Sequence, residues 1–230
     1  MIAFPKTPHA LLLAGILLGM GGTAPLQAEE APETFSVFKI VQGQAVTYRQ
    51  VATAQASSEK SQLLKENQAA IQTWEKEAQA LPKDQPGAIP PTLKPETLQV
   101  SIVKAALPAE QAETLAHDLQ QKSDAKYLVA KITLEKVETI ASQGSTVIPQ
   151  VRVVKKEVSY EALPQNGLRA REQGLYTAHL KYREEVKAEN AKTFGSKTMP
   201  AAPKVEILEA NLSETQAQAK AAGMVPPSKK

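Results

Sequence analysis

The chain has 230 residues, with 27 Lys and Arg against 24 Asp and Glu, and it contains no cysteine. The absence of cysteine excludes disulfides, thiol catalysis and Cys-ligated metal sites. Because the two signs of charge are interleaved, the chain offers no clustered basic face of the kind that binds nucleic acid.

The first 28 residues have the pattern of a secretory signal peptide. Lys6 precedes an apolar run from Ala10 to Met20, and a Gly/Thr/Pro break leads to Leu26-Gln27-Ala28. The run is shorter than a membrane-spanning anchor requires. We therefore expect export to the periplasm or the extracellular space, cleavage after Ala28, and no stable membrane span after the signal is removed.

Two sequence matches indicate an internal repeat. VSIVKAALPAEQA, from Val100, matches VEILEANLSETQA, from Val205, without a gap. FKIVQGQAVTYRQV, from Phe38, resembles VRVVKKEVSYEAL, from Val151, and both segments favour a β-hairpin. The sequence therefore predicts an α+β fold made by tandem duplication of a hairpin, long helix, strand and short helix unit. The predicted repeats cover residues 33–140 and 147–223.

In the first repeat, a long helix should follow the hairpin. Its narrow stripe contains Leu64, Ile71 and Ala78, with Asn67 and Trp74 beside them. A proline-rich spacer at 82–95 follows, and its composition favours extended, stiff backbone. A strand near Val100 and a short Ala/Leu-faced helix come next.

The second repeat shows the same pattern with different side chains. Its long helix has a stripe at Leu175, His179, Tyr182 and Val186. Ser213-Glu-Thr-Gln216 fits a capping box at the start of the last helix. Residues 224–230 are predicted to form a disordered tail.

A strand at Tyr127–Val137 is predicted to close the first repeat only. Natural proteins rarely leave a long sheet edge uncovered. Either this strand serves both sheets, or a partner chain supplies the pairing that the second repeat lacks.

The residues favour no catalytic, cofactor or metal site. There is no HExxH, calcium-loop or Gly-x-Ser-x-Gly motif, and the glycines outside the first 28 residues are isolated. His117 is expected at the surface, and His179 is expected to be a partly buried structural residue. We predict a protein that is not an enzyme; an unfamiliar Glu/Tyr/Lys site is the least favoured hypothesis.

Three aromatic residues are the candidate contacts for a partner: Trp74, Tyr176 and Tyr182. Trp74 is the single tryptophan, and its place on the helical stripe favours the core over an exposed contact. Of the two tyrosines, Tyr176 is expected to be the more exposed.

Residues 97–132, TLQVSIVKAALPAEQAETLAHDLQQKSDAKYLVAKI, loosely resemble half of a SPOR domain. That family binds peptidoglycan, so the resemblance implies glycan binding on a sheet. Where the family shows Gly or Ser followed by an aromatic, this chain reads Lys104-Ala-Ala-Leu107, so no binding residue is implied. The hairpin FKIVQGQAVTYRQV followed by a long charged helix is similar to uncharacterised secreted proteins of planctomycete-type bacteria. This likeness implies export and a structural role.

From these observations we expect an exported, non-enzymatic structural or adaptor protein that acts through protein–protein interaction. Its contacts should be a sheet edge and long helices that pack as a pair or against another copy. The partner would be another protein or the chain itself, as a homo-oligomer. The alternative function is peptidoglycan binding by the strand–helix–strand segment.

Overall fold

The computed structural model describes residues 33–82, 88–141, 150–192 and 198–224. These residues form an α+β fold with two antiparallel sheets. The signal-peptide prediction at 1–28, part of the 82–95 spacer, and residues 225–230 of the predicted tail lie outside the described residues. In the described ranges, no helix combines the length and the apolar character needed to cross a membrane.

The strands and helices follow the same order in each half of the chain: two strands, a helix, a strand and a helix. In order they are β1 (Phe35–Gln42), β2 (Ala45–Ala52), α1 (Ala56–Gln79), β3 (Leu98–Leu107), α2 (Ala109–Asp124), β4 (Tyr127–Ala141), β5 (Gln150–Pro164), α3 (Leu168–Lys192), β6 (Lys204–Leu212) and α4 (Glu214–Met224). A short 3-10 helix, Gln165–Gly167, joins β5 to α3.

The first sheet has the strand order β2-β1-β3 and is covered by one helix on each face. Successive side chains of a strand point to opposite faces. Val37 accordingly packs with Ala112 and Ala116 of α2, while Phe38 packs with Ala56 at the start of α1. The two helices therefore enclose the central strand β1 from both sides.

The second sheet has the equivalent order β5-β4-β6. On one face, Val129 packs against Ala217 and Ala221 of α4. On the other, Leu128 and Ala130 pack with Leu168 at the start of α3. The apolar core is thus divided between two small sheets, each with a buried central strand.

The pairing register also recurs. Phe38 pairs with Ile102 in the first sheet, and Ala130 pairs with Ile207 in the second. Each ladder then shifts register, and each contains a residue with positive φ. These residues are Ala106, at 55°, and Asn211, at 60°. Element order, strand order and bulge therefore agree between the halves, while the tandem duplication itself stays a prediction.

The predicted hairpin within 151–163 is wrong. Gln150–Pro164 is one continuous strand, and its hairpin partner is β4. The first hairpin turns at Gly43, which has φ +58°. The link Lys155-Lys156 has no such residue, and it continues the strand opposite Lys136 and Glu135.

The assignment of Tyr127–Val137 as the closing strand of the first repeat is also wrong. β4 is the central strand of the second sheet, so the second sheet lacks no strand, and the predicted boundary between 140 and 147 falls between two paired strands. Three successive residues of β4 are fully buried: Leu128, Val129 and Ala130. Burial on both faces is typical of a central strand. β3 and β4, the two strands of the SPOR-like segment, therefore belong to different sheets.

Replacing Gly43 with Ala should destabilise the protein. A residue with a side chain is strained at positive φ, and the carboxylate of Glu96 would have to move away from the new Cβ. We expect the free energy of unfolding, measured by urea denaturation, to fall by about 1–2 kcal/mol. The matched control is Gly174→Ala in α3, where a Cβ meets no atom within 4 Å. This change should raise the free energy of unfolding by about 0.5–1 kcal/mol. Equal effects at the two glycines would contradict the assigned turn.

Candidate interaction surface

The edge of the first sheet at β2 is closed by side chains. The Val46 N–H donates to Asn166 Oδ1 at 2.8 Å, and the Tyr48 N–H donates to Gln120 Oε1 at 2.8 Å. Ser123 Oγ donates to the Val46 carbonyl at 3.3 Å. Helix α2 and the 3-10 helix thus occupy the positions where another strand would bind.

The opposite edge of the same sheet, at β3, is open. The Leu98 N–H donates to Asn67 Oδ1 at 2.9 Å. Beyond Leu98, the described residues make no hydrogen bond to the outer side of β3. Ile102 and Val103 are 47% and 46% exposed at this position. We call the Ser101–Lys104 stretch the first edge.

Strand β6 presents the equivalent surface. Ile207 and Leu208 are 37% and 40% exposed, and they match Ile102 and Val103 in the sequence repeat. We call Glu206–Glu209 the second edge. Unpaired backbone groups beside exposed apolar side chains are the features by which a sheet edge recruits another strand.

The outer strand β5 also has exposed valines, Val154 and Val158. They are not adjacent, and Lys155, Lys156 and Glu157 stand between them. Charged side chains of this kind block strand addition in natural proteins. The adjacent apolar pairs of β3 and β6 are therefore the better candidates for binding.

Tyr176 is buried and Tyr182 is half-buried, so the prediction that Tyr176 is the more exposed of the two tyrosines is wrong. Tyr176 is 5% exposed, and its hydroxyl donates to the Pro90 carbonyl at 2.6 Å. Burial raises the pKa of the Tyr176 hydroxyl. The buried face of α3 contains Tyr176, His179, Arg183 and Val186, one position away from part of the predicted stripe. The face contacts carbonyl groups as well as apolar atoms, so it buries polar side chains with hydrogen-bonding ends beside Val186.

Trp74 is half-buried and contacts the segment that follows α1. Its Nε1–H donates to the Thr92 carbonyl at 2.8 Å. Lys94 Nζ lies 5.7 Å from the ring centroid and pairs with Glu75 at 2.8 Å. Trp74 therefore attaches residues 88–97 to the helix.

Tyr182 is half-buried, and it hydrogen-bonds to β4 beyond the point where β6 begins to pair with that strand. Strand β6 pairs with β4 only as far as Thr133. Further along β4, the Val137 N–H donates to the Tyr182 hydroxyl at 2.7 Å. The three aromatic candidates thus all make hydrogen bonds within the chain.

Residues 88–97 connect the two long helices. From α1, Asn67 Nδ2 donates to the Glu96 carbonyl at 2.9 Å, next to the Trp74 contact. From α3, Arg169 donates to the Lys94 carbonyl at 2.5 Å, next to the Tyr176 contact. In the described residues, this segment thus contacts both long helices.

His179 is a buried histidine that sequence analysis placed on the correct helix face. It is 7% exposed, and its Nε2 has no hydrogen-bond partner in the described part of the chain. Burial lowers the pKa of His179, and the nearby positive charge of Arg183 lowers this pKa further. Counted from the first residue of each helix, His179 in α3 corresponds to Asn67 in α1, which accepts the Leu98 N–H. The second half has Pro203 in place of Leu98, and proline has no N–H to donate.

His117 lies at the surface of α2, as predicted, and its Nε2 is 2.9 Å from Gln121 Nε2. Over the ranges that the structure describes, no group of three or more His, Asp or Glu residues is arranged to hold a metal ion. Comparison with protein-family models, curated proteins and solved structures finds no match to this chain.

His179 should make the protein less stable in mild acid. Its pKa in the folded state lies below the ordinary value of about 6.5. The unfolded chain therefore takes up this proton first, and the free energy of unfolding falls as the pH drops through about 6.5. The fall ends once the folded state is also protonated. Urea denaturation between pH 5 and pH 8 measures this slope, which His179→Gln should reduce. His117→Gln is the control for removing a histidine, and an equal reduction by both changes would contradict the assignment.

Proposed function

We propose that this protein is an exported, non-enzymatic structural or adaptor protein that binds polypeptides through its open sheet edges. The observation that carries the proposal is the difference between the edges. Side chains close the edge at β2 through Val46 and Tyr48, whereas the first and second edges present exposed apolar pairs. Export rests on the sequence pattern of residues 1–28.

Strand addition explains why unpaired backbone groups and exposed apolar pairs occur together at these edges. An extended peptide at a sheet edge pairs its backbone N–H and C=O groups with the unpaired groups of the edge strand. Ile102 and Val103 lie at the register shift, where both oppose a single residue of the central strand, and both side chains are exposed to a partner. The same holds for Ile207 and Leu208. Backbone hydrogen bonds would supply affinity, and the apolar pairs would supply contact area and specificity.

The bulges and charges near the edges would restrict the partner. A bulge bends an edge strand and limits indiscriminate pairing, and so do charged residues beside it. Lys104 flanks the first apolar pair, and Glu206 and Glu209 flank the second. We therefore expect binding of short, charge-matched strands.

Peptidoglycan binding is the weaker alternative because it would require an accessible sheet face. In the first sheet, α1 and α2 pack on opposite faces. In the second sheet, α4 packs on one face and the start of α3 packs on the other. The sheet edges are more accessible than the faces, which favours a polypeptide partner over a glycan strand.

Site-specific photo-crosslinking in the native cell tests the proposal. A photoreactive amino acid at Val103 or Leu208 should give covalent adducts with a polypeptide, and mass spectrometry would identify the adduct and the linked residue. The matched control is Leu64, a 37% exposed apolar residue on α1. Val158, on β5, tests the competing edge.

Adducts from Val103 or Leu208, with few from Leu64 and Val158, would support the proposal. Equal labelling from all four positions would contradict it, and so would labelling from Val158 alone. Sedimentation with purified peptidoglycan tests the alternative, and we expect the protein to remain in the supernatant.

A further inference from the structure

Side-chain hydrogen bonds hold the residues just before β3 to the first long helix. Asn67 of α1 makes two of them: its Nδ2 donates to the Glu96 carbonyl and its Oδ1 accepts the Leu98 N–H, both at 2.9 Å. The amide group of an asparagine does not ionise. This attachment should therefore not depend on pH.

Ionisable side chains hold the corresponding segment of the second half, residues 200–203. The sequence repeat places Ala201 and Pro203 where the first half has Glu96 and Leu98. The Ala201 N–H donates to Glu135 Oε2 of β4 at 2.8 Å. Pro203 has no N–H, so the second contact of the first half has no counterpart here.

Arg183 of α3 supplies another contact with this segment. Its Nη1 donates at 3.2 Å to the carbonyl of Pro200, which is fully buried. Upstream, Asn190 Nδ2 donates to the Thr198 carbonyl at 2.8 Å. Strand β6 begins at Lys204. Arg183 and the carboxylate on β4 therefore fix the residues between the Asn190 attachment and the start of β6.

His179 lies one turn from Arg183 on the same buried face of α3, at the position that Asn67 has in α1. The His179 side chain is buried, and within the described ranges its Nε2 has no hydrogen-bond partner. Where α1 has an amide bound to the backbone on both sides, α3 thus has an imidazole with an unpaired nitrogen. Taking up a proton would place a second buried cation near Arg183.

Arg183 and Glu135 are the charged groups that act on the His179 ring. Arg183 opposes a positive charge on the ring, and Glu135 favours one, with the smaller effect. Lys156 of β5 lies 3.9 Å from Glu135 and weakens that attraction. Tyr176, the other ionisable side chain buried on this face of α3, has a raised pKa and stays neutral between pH 5 and pH 8.

Protonation of His179 would therefore disturb both contacts of the segment. The charged ring would repel the guanidinium that binds Pro200, and it would compete with the Ala201 N–H for the carboxylate on β4. We propose that mild acid releases residues 200–203 from α3 and β4, with His179 as the group that takes up the proton. Release would also free the start of β6, because that strand follows the segment directly.

Amide hydrogen exchange of the full chain, followed by NMR between pH 5 and pH 8, tests the inference once rates are corrected for the intrinsic effect of pH. The reporters are the Ala201 amide, bound by Glu135, and the Leu98 amide, bound by Asn67. Below about pH 6.5, protection of Ala201 should fall by up to about tenfold for each pH unit, because release takes up one proton. Protection of Leu98 should change little, which separates local release from global unfolding.

His179→Asn gives α3 the uncharged side chain that α1 has at this position. In this variant, the protection of Ala201 should no longer depend on pH between 5 and 8. His117→Asn is the matched control, since it removes an exposed histidine from α2, and it should keep the pH dependence of the wild type. Circular dichroism would verify that each variant is folded.

Constant protection of Ala201 in the wild type would overturn the inference, and so would an equal fall at Ala201 and Leu98. A folded His179→Asn variant with the wild-type pH dependence would also contradict it. If that variant does not fold, the His179 ring protons of the wild type decide: they must titrate over the same pH range in which Ala201 loses protection. None of these outcomes depends on whether a polypeptide binds at the sheet edges.

Discussion

The pairing of backbone N–H and C=O groups at the sheet edges is the constraint on which this structure depends. A three-stranded sheet has two edges, and the groups that point outward must bind side chains, water or another strand. The chain closes the β2 edge with Asn166 and Gln120, and it completes the β4 ladder with the Tyr182 hydroxyl. Within the described residues, no side chain makes such a hydrogen bond beside Ile102 or Ile207.

Closure of the β2 edge also links the two halves of the chain. Asn166 belongs to the 3-10 helix that follows the second hairpin, yet it binds Val46 in the first sheet. Its Nδ2 donates to Asp124 at the end of α2 at 2.6 Å. One amide side chain thus satisfies an edge group and holds α2 against the second half. The Val46 edge is protected because the fold places Asn166 there.

Polar packing compensates for the small apolar core. The chain is 4% aromatic, and each sheet encloses only a few buried aliphatic side chains. Helix α3 buries Arg183, whose guanidinium donates to the Pro200 carbonyl at 3.2 Å. Arg152 of β5 is buried against the same helix and pairs with Glu189 at 2.6 Å. Buried charges with partners hold irregular segments in place, whereas removing one partner leaves the other uncompensated.

The sequence was sufficient for the α+β class and for the positions of the strand and helix in each matched segment. Val100 and Val205 both lie in strands followed by short helices, as the match predicts. The second hairpin was missed because strand pairing is non-local: no local property of Lys155-Lys156 shows that Glu135 and Lys136 lie opposite. Tyr176 was misplaced because its burial depends on Pro90, which is distant in sequence. The apolar pair Ile102-Val103 can be read in the sequence. Its exposure, however, depends on the sheet order, which places β3 at an edge.

Amide hydrogen exchange measured by NMR on the dilute protein distinguishes closed sheet edges from open ones. We expect slow exchange of the Val46 and Tyr48 amides, which are hydrogen-bonded to side chains, and fast exchange of the Ile102 and Ile207 amides, which lie on the open edge strands. Equal protection of all four amides would contradict the distinction between closed and open edges.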